Sequence, residues 1–185
     1  MEWILFAAVA LVAVVVVVVY NRLVSLRQSA RQAYADIDAQ LRLRTDLVPN
    51  LVETVKGYAR HEKDTLEQVM KARAESMEAR ASGNVSSADS IMTAALGRLF
   101  AVAEAYPELK ANQNFLQLQQ ELSDVENKIA AARRFLNASV ADYNGAIEQF
   151  PAVLFAKRLG FRPESMFELP ASSRADEEPA PSVSF

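Results

Sequence analysis

Side chains able to do bond chemistry are scarce in these 185 residues: there is no cysteine and a single histidine, His61. Without thiols the chain holds no disulfide and no thiolate metal site. Helical bundles that house two-metal centres use inward Glu residues with Glu-x-x-His pairs on two helices. Here Tyr58 stands three residues before His61, there is no second histidine, and Glu53 and Glu62 have no ligand set beside them. No Gly-x-Ser-x-Gly or Walker-type phosphate motif is present. The sequence offers no catalytic residue, no metal ligand set and no cofactor site, and reads as a non-enzyme. A net charge of −3 gives no basis for nucleic-acid binding, which rests on phosphate neutralisation. The remaining candidates are polar residues that interrupt apolar patterns: Arg44 and Asn50, then Lys110, Asn112 and Asn114 after Pro107. They admit two readings, a buried cluster that binds something or a set that fixes register and caps helix ends.

The elements that must carry these residues are helices. Residues 3–20 are 18 consecutive hydrophobic positions without a charge, Gly or Pro. As a helix they rise about 27 Å, close to the ~30 Å hydrocarbon core of a bilayer. The run of valines from Val14 to Val19 is β-branched, but strands rarely exceed about ten residues. Trp3, Phe6, Leu11, Val15, Val19 and Tyr20 mark the expected membrane anchor, with Trp3 and Tyr20 placed for the two headgroup layers. A cleavable leader would want a basic start, a shorter apolar run and a small-residue cleavage site; retention as an anchor is the expectation. Arg22, Arg27 and Arg31 follow the run and no Lys or Arg stands before it. By the positive-inside bias these orientation charges place the N-terminus outside and the remainder in the cytoplasm.

Beyond the anchor the apolar period becomes 3 and 4. Leu23, Leu26, Ala30, Ala33, Ile37 and Leu41 form one stripe, flanked by charges such as Asp38 and Arg42 as an i, i+4 pair. The stripe keeps phase across Pro49 through Leu41, Arg44, Val48, Leu51, Val55 and Tyr58. A proline inside a helix removes a hydrogen bond and crowds the preceding turn, so the chain either kinks or reverses there. The pattern proceeds through Leu66, Val69, Met70 and Met77 and stops near Gly83, which suits a left-handed cap. Ser87 is placed to cap the next helix, which carries Ile91, Ala95, Leu99, Val102 and Tyr106 up to Pro107. Phe115, Leu118, Leu122, Val125, Ile129, Ala132, Leu136, Val140, Tyr143, Ile147 and Phe150 then step only by 3 or 4. That predicts a helix from about Ala111 to Gln149, nearly 60 Å long. Stripes of this length need partners, so the fold class is all-α: an N-terminal transmembrane helix continuing into an antiparallel bundle of long helices.

Residues 151–161 are short and very apolar. Val153, Leu154, Phe155, Leu159 and Phe161, with Lys157 and Arg158, suit either a membrane-interface element or a piece docked on the bundle or a neighbouring copy. The chain then turns Pro-rich and acidic, with Asp176-Glu177-Glu178 before a final Ser182-Val183-Ser184-Phe185. That composition reads as an extended tail, with Val183 and Phe185 as candidate contacts to another copy or partner. The expected division is an anchor at 1–21, a bundle at 22–161 and a tail at 162–185.

Several runs resemble the bacterial LemA family: Tyr20-Asn21-Arg22-Leu23-Val24, Asp36-Ile37-Asp38-Ala39-Gln40-Leu41, and the stretch Asp46-Leu47-Val48-Pro49-Asn50-Leu51 continued to Ala59. So do Ala105-Tyr106-Pro107-Glu108-Leu109-Lys110-Ala111-Asn112 with Asn114-Phe115, then Tyr143-Asn144, Phe150-Pro151 and the closing Val183-x-Phe185. Tyr34-Ala35 departs from the Trp-Ser that members often carry. The resemblance covers nearly the whole chain. It implies a LemA-like, single-span inner-membrane protein with an antiparallel helical bundle, and some magnetosome-associated relatives implicated in shaping membrane. It brings no catalytic residues. Anchor and resemblance together lead to a membrane-anchored helical scaffold that self-assembles as a homo-oligomer, with coiled-coil-like packing, and organises or remodels the bacterial inner membrane. The expected partners are the lipid bilayer and further copies, with no nucleic acid. The alternative is an adaptor or accessory subunit of another envelope protein, such as a membrane protease or stress-response system.

Overall fold

The computed structural model describes residues 1–168. Among them are five α-helices and no strand: α1 Glu2–Tyr58, α2 Lys63–Ala81, α3 Val85–Glu104, α4 Pro107–Lys110 and α5 Gln113–Glu148, followed by a 3-10 turn Ala152–Leu154. The all-α class holds, with a long apolar first helix followed by further helices. The described residues form two compact units, 1–37 with 131–166, and 38–130 with 167 and 168; α1 and α5 contribute to both.

The second unit is a helical bundle whose core comes from every helix. Val48, Leu51 and Val55 of α1 meet Leu66 and Val69 of α2, Met92, Leu96 and Leu99 of α3, Leu109 of α4, and Phe115 and Leu122 of α5. Short connections force antiparallel neighbours. At the α2–α3 turn Gly83 takes a positive φ of 83°. Its N–H donates to Arg80 O at 2.9 Å, and the Asn84 N–H donates to Ala79 O at 2.9 Å. This left-handed closure satisfies the last carbonyls of α2. Asn84 also begins α3: its side chain accepts from the Ser87 N–H. The cap expected at Ser87 therefore sits three residues earlier, and Ser87 supplies the donor.

Pro49 neither reverses nor ends its helix, since α1 is continuous through it. The missing N–H leaves the Thr45 carbonyl without its intrahelical donor. Arg73 on α2 replaces it, with Nε donating to Thr45 O at 2.9 Å. Thr45 is itself buried, so an unpaired carbonyl there would carry a desolvation cost. The real break comes later, at residues 59–62, where Arg60 and His61 are exposed and Ala59 is buried. Beyond it Met70 and Met77 are exposed, while Ser76 is buried with its hydroxyl donating to Ala88 O at 2.8 Å. Asp38 and Arg42 do not pair with each other: Asp38 meets Arg80 at 3.4 Å and Arg42 meets Asp46 at 3.8 Å.

In the first unit α5 follows the sequence stripe closely, burying Leu136, Val140, Tyr143 and Ile147, while Phe150, one turn beyond, is exposed. On α1, Leu23, Ala30, Ala33 and Ile37 are buried as their spacing requires.

Candidate functional site at the end of the apolar helix

From Trp3 to Tyr20 α1 has almost nothing packed on it. Phe6, Leu11 and Val15 are exposed, Trp3 is 87 % exposed, and only Val16 and Val19 are half-buried. Soluble monomers rarely leave more than a few hundred Å² of contiguous apolar surface bare. Among the described residues this is the helix long and apolar enough to cross a membrane.

Its Tyr20 end is where packing begins. Leu23 meets Tyr143, Ala146 and Ile147 of α5, and Ala152, Ala156 and Phe161 join the same cluster, with Val19, Val24 and Leu26 against it. Phe161 is the pivot. Its ring meets Tyr20 edge-on at 5.5 Å between centroids, and the Arg27 guanidinium lies 4.8 Å from its centre, a cation–π geometry. Gly160, with φ 81°, turns the chain into Phe161, whose N–H donates to Ala156 O at 3.0 Å. Asn144 then holds the following stretch by both amide atoms. Its Nδ2 donates to Glu164 O and its Oδ1 accepts the Glu164 N–H, each at 2.9 Å. The Tyr34 hydroxyl donates to the Ser165 carbonyl. Burial raises the Tyr143 pKa above the usual tyrosine value; Glu164 adds to this and Arg27 and Arg31 oppose it.

Residues 150–161 thus divide by face. Ala152, Ala156 and Phe161 are buried and Phe155 is half-buried. Val153, Leu154 and Leu159 point to the exterior at 51, 66 and 45 % exposure, with Phe150 at 79 %. Lys157 and Arg158 are exposed between them. One side of the segment packs on α1 and α5, and the other side is exposed. Of the orientation charges, Arg22 and Arg31 are exposed and Arg27 is half-buried. Val183 and Phe185, and the tail beyond residue 168, lie outside the described residues.

The polar interruptions resolve separately, within the second unit. Arg44 is 1 % exposed. Its guanidinium pairs with Asp89 of α3 at 2.8 Å and with Glu126 of α5 at 2.9 Å, and donates to Thr93 Oγ1 and Asp89 O. One cation therefore ties three helices in one register. Asn112 caps α5, accepting the Phe115 N–H at 3.0 Å, and its Nδ2 donates to the Tyr58 hydroxyl at 2.8 Å. Asn50, Lys110 and Asn114 are exposed and take no part. Asp89, Glu126, Arg73 and Asn144 were not singled out from the sequence as partners. A charge on one apolar stripe requires an opposite charge on a facing stripe, and that was the available signal for Asp89. Near the end of α1 an open cleft of about 730 Å³ is lined by Val52, Leu66 and Met70 with Lys56, Arg60 and Lys63 opposed by Glu53 and Glu67.

A bare apolar helix that continues into a packed, ion-pinned bundle defines a class, the helical-bundle proteins with one candidate membrane span. Residues 33–185 match the LemA family model, and the chain belongs to the LemA family. It is similar to the magnetosome protein MamQ of Magnetospirillum gryphiswaldense, with 29 % identity over 82 % of this chain and 66 % of that protein. It is 25 % identical to magnetosome protein MamQ 2 of Paramagnetospirillum magneticum, over 80 % of this chain and 64 % of that one. Protein LemA of Metamycoplasma hominis is 26 % identical over 84 % and 72 %. The chain spans just under two thirds of the magnetosome relatives it matches. Family and candidate span together fit a membrane-associated helical protein.

Proposed function

We propose that this chain is a membrane-anchored scaffold: α1 crosses the bacterial inner membrane, and the bundle self-associates to organise or remodel that membrane. The observation that carries the reading is the continuity of α1. The same helix is bare and apolar from Trp3 to Tyr20 and packed from Leu23 onward. The span is thus joined to the packed helices by continuous helix rather than by a loop. The Arg22, Arg27 and Arg31 cluster supports a cytoplasmic bundle with the N-terminus outside. Similarity to proteins named for the magnetosome supports work at an organised assembly. Confinement to a surface raises the effective concentration of copies, so modest contacts suffice for assembly.

The test is photo-crosslinking of the full chain in cells, with the reactive group at the exposed Phe135. A ladder of self-conjugates is expected. One dominant conjugate to a different envelope protein would replace the scaffold with an adaptor.

A further inference from the structure

We propose that the open face of residues 150–161 is a seat for anionic phospholipid headgroups, in the leaflet that receives the Tyr20 end of the span. The inference rests on the membrane-anchored reading and adds a lipid-recognition site to it.

Depth is the first ground. Tyr20 closes the apolar run, and Phe161 touches it. Phe150, Pro151 and Ala152 share a small cavity of about 50 Å³ with Val19, Arg22 and Leu23. When the span is inserted, this lobe therefore lies within about one helical turn, ~5.4 Å, of the hydrocarbon boundary. The headgroup region on each side is itself only about 5–8 Å thick. Packing against Val19, Tyr20 and Leu23 puts the lobe in that layer.

Composition is the second ground. The side chains left outward at that depth are Phe150, Val153, Leu154 and Leu159. This is an apolar set suited to burial a few Å into the acyl boundary. Between Phe150 and Phe161 the charged residues are Lys157 and Arg158, both exposed and both cationic. From Asn21 to Arg31 the charged residues are again only cations, Arg22, Arg27 and Arg31. An apolar face edged by cations on two adjacent segments complements an anionic headgroup. Each such charge near the surface shifts a seated-to-free ratio about fivefold.

The absence of native cysteine makes the test direct. Full-length protein carrying Leu154→Cys, Val12→Cys or Lys71→Cys is labelled with a fluorophore. It is then reconstituted in vesicles of phosphatidylcholine alone or with one-third phosphatidylglycerol. Val12 reports insertion of the span and Lys71 an exposed position on the bundle. With phosphatidylglycerol, the Leu154 label is expected to be shielded from an aqueous quencher several-fold better than the Lys71 label. Replacing Lys157→Gln and Arg158→Gln together is expected to remove most of that shielding while leaving Val12 unaffected. A shielded Val12 with Leu154 as open as Lys71 would overturn the lipid seat alone. Equal shielding of Leu154 in phosphatidylcholine, or shielding that grows with protein-to-lipid ratio, would also overturn it, the latter by seating a second copy. An open Val12 would overturn the anchored reading and the seat with it.

Discussion

Arg44 shows how one residue on an apolar stripe is made tolerable. Fully buried cations are costly unless paired and hydrogen-bonded, and here two carboxylates, a hydroxyl and a carbonyl receive the guanidinium. Asp89 is as buried as its partner, whereas Glu126 keeps 38 % of its side chain exposed. The Asp89 pair is thus poorly screened, and the Glu126 pair is weakened by solvent. Arg44→Leu alone takes the buried cation away from Asp89 and is expected to cost about 3–5 kcal/mol of stability. Adding Asp89→Leu should recover much of that loss, giving a coupling of about 2–3 kcal/mol in a denaturation cycle. Additive costs would mean the pair does not hold the bundle as described. The spacing revealed that Arg44 sat on the stripe. It did not reveal Asp89, which the structure buries on α3 beside Val85, Ala88 and Met92.

At the scale of elements, legibility followed how continuous each apolar face was. α5 was readable along its length because Phe115 to Ile147 is an unbroken 3-4 stripe with its buried face where the spacing puts it. α2 was read less well, because hydropathy favours Met70 and Met77 over Ser76. Ser76 earns its buried place only through a carbonyl on α3. The break at 59–62 has no Gly or Pro to announce it. Of the kink or reversal open at Pro49, the reversal does not occur: α1 runs through it, and the orphaned Thr45 carbonyl finds Arg73 from another helix. That compensation has a specific consequence. Arg73→Ala is expected to cost about 1–3 kcal/mol through the unpaired carbonyl. In a Pro49→Ala background, where the helix supplies its own N–H, the same change should cost little. Equal losses in both backgrounds, by urea unfolding, would remove Arg73 as the reason the helix passes through Pro49. The lobe at 150–161 was visible as unusual composition. Its division into a docked and an open face was not, since the local turn at Gly160 and the tertiary contacts of Phe161 and Asn144 set that division.

For the whole molecule, the pieces have consistent roles. The apolar segment left bare from Trp3 to Tyr20 is the part that the proposed reading places in lipid, and the helices beyond it pack into two cores. Buried charge goes into fixing helix register, as in Arg44. A packed helical protein carrying one candidate span is the form proposed for a scaffold whose effect comes from number, each added copy bringing another anchor to the same patch of membrane. The most direct measurement is the mass of the full-length assembly, by light scattering in membrane-extracted discs that retain native lipid. Self-assembly requires masses at multiples of the 20.4 kDa chain, rising with surface density. A single 20.4 kDa species at every density would contradict the scaffold.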